Sequence, residues 1–270
     1  MVAVNPLSEL PVRKHKYGWR QSLPDRRDLR RTLPQYGLAS LSFPPVASLQ
    51  SAMPPIYDQG SIGSCTANST CAAVEYNMMR QGLPFFGPSR LFVYYNTRVI
   101  EGTVDSDAGA EVRNAIKAAA TLGACPEVEW PYDETKFTIQ PPPTAYTDAK
   151  LDVVTKYEAL GEDSGITLDD IHATISGGQP IVFGMSCYES FEGDAIAQTG
   201  IMSMPAPNEK MVGGHCILAV GYDDNKRMVK VRNSWGTGWG DQGYFEMPYD
   251  FFLGDDCSDF WVVESVASTA

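Results

Sequence analysis

The spacing of apolar residues changes near the middle of this chain, and that change limits the folds available to it. In the first half, apolar side chains recur every three or four residues, as they do on one face of an α-helix. In the second half they form short runs rich in Val, Ile and aromatic residues, which is typical of strands. A helical half followed by a strand half predicts an α+β protein with a cleft between the two layers.

Capping and turn residues place the boundaries of the elements. Helices are predicted from Cys65 to a stop at Gly82, after the cap Ser89, from Val112 to Gly123, and between the cap Thr167 and Ser176. The prolines at 141–143 predict an extended connection between the halves. Strands are predicted at residues 153–154, 180–185, 216–222, 228–232, 243–247 and 260–263, with a hairpin turn at 223–226.

Positive charge is concentrated at the N-terminus. The net charge of −12 argues against nucleic acid as a partner. Residues 1–31 nevertheless hold eight Lys and Arg against three acids, a charge of +5 that leaves −17 for the remainder. We expect a basic arm at residues 1–42 and one domain at 43–270, mainly helical over about 51–145 and mainly β over about 146–270. The arm is either a solvated tail or a segment that docks on the acidic body.

The sequence contains no indication of a membrane-spanning segment, a metal site or a bound cofactor. No run of about 18 apolar residues occurs, so no segment is expected to span a membrane. No secretory signal is visible, and both a cytoplasmic location and export with the signal removed stay open. The six cysteines are spread singly without a C-x-x-C pair, which disfavours a zinc site. If one is a nucleophile the other five cannot all pair, although one or two bridges are not excluded.

A loop of small residues delivers one cysteine to the start of a predicted helix. Residues 59–65 read QGSIGSC, and the turn-forming residues there let the backbone bend closely around a ligand. The first turn of a helix carries partial positive charge and unpaired N–H groups, which favour the thiolate form of Cys65. Cysteine is also a common small buried side chain, so the loop alone leaves a catalytic and a structural role open.

One of the three histidines is well placed to partner a nucleophile. His15 lies in the basic arm, where it is expected to be solvated, and packing on a short helix accounts for His172. His215 follows two glycines and opens a predicted apolar strand. The strand would fix its backbone and the glycines would leave room for a substrate, although a histidine at a strand edge is also a common structural feature.

A third block, RNSWGTGWG at residues 232–240, combines polar side chains, glycines and two indoles. As scaffold it would be a glycine loop packed under two Trp side chains. As part of a site, Asn233 can orient an imidazole without adding a negative charge, and Trp235 can shield that bond from water.

Together, these three blocks resemble the papain-like cysteine peptidases. The matching residues are Gln59 and Cys65, the run GHCILAVGY at 214–222, and residues 232–240 with Gly243 and Tyr244. His215 follows Cys65 by 150 residues and Asn233 follows His215 by 18, which is the family's layout. The resemblance covers about residues 43–270. It implies a papain-like α+β fold, with a helical subdomain, an antiparallel β-barrel-like subdomain and the active-site cleft between them.

The resemblance also implies a cysteine-type endopeptidase that hydrolyses peptides or proteins through a thioester acyl-enzyme. Cys65 would be the nucleophile and His215 its acid–base partner. Asn233 would orient His215, and Trp235 would cover their bond. The side-chain amide of Gln59, with the backbone N–H of Cys65, would form the oxyanion hole.

Two residues near the nucleophile depart from the family pattern. Ile62 stands where the family usually carries a cysteine, which removes a usual disulfide. Thr66 stands where an aromatic residue usually follows the nucleophile, and this puts local substrate contacts in doubt.

The substrate-binding residues implied by the resemblance are Gly109, Ala110, Glu111, Gly214 and Trp235. Gly109 and Ala110 correspond to the glycine pair that lines the P2 subsite. Glu111 either favours a basic P2 side chain or is simply solvated.

Two alternatives to an endopeptidase remain. The first is a catalytically silent peptide-binding relative, and the presence of Cys65, His215, Asn233 and Gln59 argues against it. The second is an amidase or transpeptidase on the same scaffold, which product analysis would separate from hydrolysis. The arm at residues 1–42 is either a shortened inhibitory segment or a strap.

Overall fold

The computed structural model describes residues 15–31, 42–161 and 165–269. The rest of the predicted arm, residues 1–14 and 32–41, lies outside the described residues. Four helices precede the first long strand: α1 (Cys65–Arg80), α2 (Arg90–Glu101), α3 (Val112–Thr121) and α4 (Pro143–Ala149). Three further helices follow among the strands: α5 (Leu168–Ser176), α6 (Asp194–Thr199) and α7 (Tyr249–Phe252). Single 3-10 turns occur at Gln50–Ala52, Glu134–Lys136 and Glu189–Glu192.

The predicted helix caps are confirmed. The Ser89 hydroxyl accepts the backbone N–H of Phe92 at 3.1 Å and begins α2. Thr167 and Asp170 form a reciprocal capping box at the start of α5. Gly102 ends α2 with a φ of 68°, a left-handed conformation that glycine adopts without steric cost.

The strands form one antiparallel sheet. They are β1 (Val46–Ser48), β2 (Asp152–Ala159), β3 (Ile181–Tyr188), β4 (Met211–Asp223), β5 (Met228–Arg232), β6 (Tyr244–Pro248) and β7 (Cys257–Ser268). Their order is β2-β7-β3-β4-β5-β6, and β1 pairs with β4. Within the described residues the two ends of this order do not pair, so the sheet is open. The predicted β-barrel-like half is thus an antiparallel sheet that does not close into a complete barrel.

Apolar packing between α1 and the sheet positions the nucleophile loop. One core cluster joins residues of α1 and α3 to residues of β4 and β7, and Cys65 belongs to it. A second cluster fills the other face of the sheet, and a third lies among the helices. The N-terminus of α1 is therefore held against β4, the strand that carries His215.

The prolines at 141–143 were expected to be extended throughout, and this is wrong at the last of them. Pro143 is the first residue of α4. Proline is favoured there because the first helical N–H has no intrahelical partner to lose. In the described part of the chain, no helix combines the length and apolar character needed to cross a membrane.

Candidate active site

Cys65 is the first residue of α1 and is fully buried. Burial raises the pKa of its thiol to about 11, although the nearby backbone N–H groups of Cys216 and Gly18 act in the opposite direction. The sequence predicts a thiolate from the helix N-terminus alone. In this structure burial outweighs that effect, and the neutral thiol is favoured.

His215 lies on β4, opposite Met185 of β3, and its Nε2 is 2.8 Å from Oδ1 of Asn233. The same Oδ1 accepts the backbone N–H of Ser234 at 2.8 Å, which identifies it as the amide oxygen. His215 Nε2 therefore donates, and Nδ1 is the basic nitrogen. Nδ1 is buried and has no hydrogen-bond partner among the described residues. Burial lowers the pKa of His215 to about 4, against the effect of the bond to Asn233.

Aromatic rings cover the His215–Asn233 bond. The Trp235 ring stacks on the imidazole with centroids 4.9 Å apart and an interplanar angle of 25°. Trp239 and Phe191 pack edge-on against Trp235 at 5.1 and 5.4 Å. These rings keep water from the bond, so the orientation of the imidazole is well defined.

Gln59 is buried, and both ends of its amide are bound. Oε1 accepts the hydroxyl of Ser234 at 2.7 Å, and Nε2 donates to the carbonyls of Ile62 at 3.1 Å and Lys16 at 3.2 Å. Its backbone N–H also donates to the carbonyl of Ser234 at 2.9 Å. Ser234 thus ties the loop before the cysteine to the loop that carries Asn233.

The loop before Cys65 is held by carboxylates and a tyrosine. Both oxygens of Asp107 lie 3.0 Å from the backbone N of Gly63. Glu134 accepts the backbone N–H of Ser61 at 2.8 Å, and Tyr132 donates to the carbonyl of Gln59 at 2.8 Å. All six cysteines are unbridged, so none of the disulfides left open by the sequence is present. Hydrogen bonds hold this loop in the absence of a disulfide.

The N-terminal arm crosses the site as an extended strand. Ala110 donates to the carbonyl of Gly18 at 2.7 Å and accepts from the N–H of Arg20 at 3.1 Å, a parallel pairing. On the opposite side, the N–H of Trp19 donates to the carbonyl of Gly214 at 2.9 Å. Gly18 fits only because it lacks a Cβ, which would overlap the backbone of Gly63. The arm therefore lies directly over the residues around Cys65.

Trp19 anchors the arm through a partly buried carboxylate. Its indole packs over Gly184, where a Cβ would overlap the ring. Its Nε1 donates to Oδ2 of Asp259 at 3.0 Å, and the backbone N–H of Ser22 donates to the same oxygen at 2.8 Å. Burial raises the pKa of Asp259, while the two arm donors act to lower it.

Ion pairs join basic residues of the arm to acidic residues of the body, as the charges of the two parts predict, with one exception. Lys16 lies 2.7 Å from Asp107, Arg20 pairs with Glu101, and Arg31 lies 3.7 Å from Glu264. The exception is Asp28 of the arm, which lies 2.8 Å from Arg113 of α3. The described part of the arm is therefore docked, as the second interpretation of its charge proposed.

Comparison with known proteins decides the family. A family model described as papain family cysteine protease matches residues 46–257. The chain belongs to this family. It is accordingly a cysteine peptidase, a hydrolase, and its α+β architecture is the papain-like fold.

Individual papain-family members agree with this assignment. The solved structure of xylellain, a cysteine protease from Xylella fastidiosa, is 37% identical with a TM-score of 0.85, covering 95% of this chain and 99% of that one. A peptidase C1-like protein of Acanthamoeba polyphaga mimivirus is 37% identical over 93% of this chain and 87% of its own length. The chain spans only 61% of cysteine proteinase 3 of Entamoeba histolytica, at 26% identity. proCathepsin B S9 of Trypanosoma congolense shares the fold at 16% identity and a TM-score of 0.69, covering 91% of this chain and 84% of that one.

The expected substrate-binding residues of this papain-family chain lie on both sides of the arm. Gly109 has a φ of 72° and approaches Gly18 closely, and Ala110 pairs with the arm backbone as described. Gly214 lies on the opposite side, beside Trp19. The Glu111 carboxylate accepts Asn114 Nδ2 at 3.1 Å, within its own helix. A role for Glu111 in P2 selection therefore stays a prediction that no contact to the described part of the arm supports.

Sequence reasoning missed three residues at this site. Ser234 was part of a recognised block, but its bond to Gln59 depends on two loops 175 residues apart. Asp259 carried no local pattern that would separate it from a solvated acid, and Asp107 was not singled out. A signal does exist for Asp107, since it stands two residues before the Gly109–Ala110 pair on a loop of small residues.

Proposed function

We propose that this protein is a cysteine-type endopeptidase that acts through Cys65, His215 and Asn233. The observation that carries the proposal is the 2.8 Å bond between His215 Nε2 and the oxygen of Asn233. It leaves Nδ1 as the basic nitrogen on β4, and the next residue of that strand, Cys216, belongs to the same buried cluster as Cys65. An imidazole so oriented can take a thiol proton and later release it.

The proposed reaction has two stages. Nδ1 of His215 takes the proton of Cys65, and the sulfur attacks the peptide carbonyl carbon. The resulting oxyanion accepts hydrogen bonds from Gln59 Nε2 and the backbone N–H of Cys65, and one such donor is typically worth ~2.7–4 kcal/mol. The imidazolium then protonates the leaving amine, which forms the thioester. Water, deprotonated by the neutral imidazole, hydrolyses the thioester and restores the thiol.

Asn233 and Trp235 would both act on His215. The neutral amide of Asn233 fixes the ring without stabilising the imidazolium as strongly as a carboxylate would. Because the ring of Trp235 lies 4.9 Å from the imidazole, it excludes water that would compete for the Asn233 oxygen.

We also propose that residues 1–42 form an arm of the domain at 43–270 and hold the peptidase inactive. Support comes from the donor of the oxyanion hole, because Gln59 Nε2 is already bound to the carbonyl of Lys16. It also comes from the complete burial of Cys65 beneath the arm. Several solved relatives are proforms, including the proCathepsin B named above.

Labelling by a thiol-directed epoxide tests both proposals. We compare the full chain, a chain that begins at Phe43, and Cys65→Ala in each. The shorter chain should label much faster than the full chain, and neither Cys65→Ala variant should label. Equal rates in the two lengths would remove the inhibitory role of the arm. No labelling in either length would favour a silent peptide-binding relative, and product analysis on a peptide would separate hydrolysis from acyl transfer.

A further inference from the structure

Lys16 of the arm contacts both the proposed oxyanion donor and a carboxylate beside the nucleophile loop. Its carbonyl accepts from Gln59 Nε2 at 3.2 Å, the donor proposed to stabilise the oxyanion. Its side-chain ammonium lies 2.7 Å from Asp107. A single residue therefore reaches both the oxyanion donor and a carboxylate. A lysine side chain is thus long enough to reach Asp107 from a residue whose carbonyl is bound by Gln59.

The Asp107 carboxylate is held rigidly for such a role. Its oxygens accept the backbone N–H of Gly63 at 3.0 Å, and Tyr94 donates its hydroxyl to one of them. Only 10% of the Asp107 side chain is exposed, against 47% for Lys16. A fixed, largely dehydrated carboxylate binds an incoming cation without losing side-chain entropy of its own.

The other acids near the arm contact different residues of it. Arg20 pairs with Glu101, and the Trp19 indole donates to Asp259. Trp19 and Arg20 lie three and four residues further along the arm than Lys16. Neither acid reaches Lys16, the residue bound to Gln59. When the arm leaves, Asp107 loses its cation and keeps only neutral donors, so its negative charge becomes available next to the nucleophile loop.

We propose that Asp107 selects a Lys or Arg side chain on the substrate residue whose carbonyl Cys65 attacks. This inference rests on the proposed peptidase reaction and names its preferred substrate class. The released enzyme would cleave peptides after basic residues, with Lys16 acting as an internal mimic of that side chain.

The test uses the full chain with Trp19→Ala, which removes the indole that anchors the arm. Two peptides differ only before the scissile bond, one with Lys and one with norleucine, which has the same carbon chain without the ammonium. We expect kcat/KM to favour Lys by roughly tenfold, the effect of one charge-assisted hydrogen bond. The ratio should fall as salt is added. Asp107→Asn should abolish the ratio, whereas Asp105→Asn, which removes the same charge from the exposed part of the same loop, should keep it.

Binding provides a second measurement that does not require turnover. In the full chain with Trp19→Ala and Cys65→Ala, fluorescent versions of both peptides are titrated, and the Lys peptide should bind about tenfold more tightly. Equal kcat/KM values, or equal affinities where no hydrolysis occurs, would overturn the inference and leave Asp107 as a loop clamp only. An absence of hydrolysis with tighter Lys binding would instead refute the proposed function while supporting the subsite.

Discussion

Replacing Gly18 by Ala should activate the full-length protein. A Cβ at residue 18 would lie within 3.0 Å of three backbone atoms of Gly63, on the loop that leads to Cys65. Backbone atoms cannot move aside as the end of a flexible side chain can, so the arm must lift at this point. The change lies outside the domain core, and the fold of the body should be preserved.

The expected increase in the open fraction follows from the hydrogen bonds that hold this part of the arm. Four are at risk: Ala110 N–H to Gly18 O at 2.7 Å, Trp19 N–H to Gly214 O at 2.9 Å, Arg20 N–H to Ala110 O at 3.1 Å, and Gln59 Nε2 to Lys16 O at 3.2 Å. At a net ~1 kcal/mol each, their loss weakens closure by roughly 4 kcal/mol. Since ~1.4 kcal/mol corresponds to tenfold, the open fraction should rise about 1000-fold, or until the protein is fully open.

The assay is the rate of Cys65 labelling by a thiol-directed epoxide in the full chain. Gly87→Ala is the matched control, because no atom lies within 4 Å of a Cβ at that glycine and its φ is not in the left-handed region. Gly18→Ala should label far faster than the unchanged chain, and Gly87→Ala should label at the unchanged rate. If Gly18→Ala and the unchanged chain label equally, the contact between Gly18 and Gly63 does not control access to Cys65.

Three further predictions concern the site and the arm anchor. Gln59→Ala should lower kcat on peptides roughly 100- to 1000-fold with a smaller change in KM, measured in a chain whose arm has been opened; a loss confined to KM would refute the oxyanion role. Asp259→Asn weakens the acceptor of two arm N–H groups and should raise the labelling rate of the full chain by roughly tenfold or more; an unchanged rate would contradict the anchor. Acid should loosen the arm through His215, because its pKa is about 4 when buried and its ordinary value is 6.5, so protonation below about pH 6.5 favours the open state. Between about pH 7.5 and 5, protonation of His215 should raise the equilibrium constant for opening of the arm by roughly 30-fold, measured by hydrogen exchange of residues 15–20. The raised pKa of Asp259 acts in the opposite direction. The His215→Gln variant removes this contribution of His215. If opening of the arm responds to pH identically in that variant, His215 is not the group responsible.

The sequence was most informative where a feature depends on neighbouring residues. The caps at Ser89 and Thr167 fix helix starts through hydrogen bonds to residues three positions away, and such patterns can be recognised locally. The motif blocks around Cys65, His215 and Asn233 were recognisable for the same reason, and the structure brings these blocks together. Their catalytic roles remain a proposal that the labelling experiment tests.

Features that arise where distant loops meet could not be predicted. Asp107 contacts Gly63 across 44 residues, and nothing in either segment specifies the other. The charge of the arm indicated docking on an acidic surface but not its path, because Gly18 is selected by the absence of a side chain against Gly63 and Gly109. Whether the sheet closes likewise depends on which strands pair at its ends. The spacing of apolar residues along the chain carries no information about this pairing.

The ionisation of Cys65 is the clearest case in which tertiary contacts override a local rule, and it bears on how the arm would work. Under the arm, burial raises the pKa of the thiol to about 11 and lowers the pKa of the imidazole to about 4, so both shifts disfavour transfer of the proton from Cys65 to His215. At the ordinary values of 9.0 and 6.5 the same transfer is much less unfavourable, and the helix N-terminus and the attraction between the two charges favour it further. Release of the arm would therefore do more than uncover the sulfur. By returning water to the cleft, it would remove the desolvation that keeps both groups neutral, so access and nucleophilicity should appear together in a single opening step.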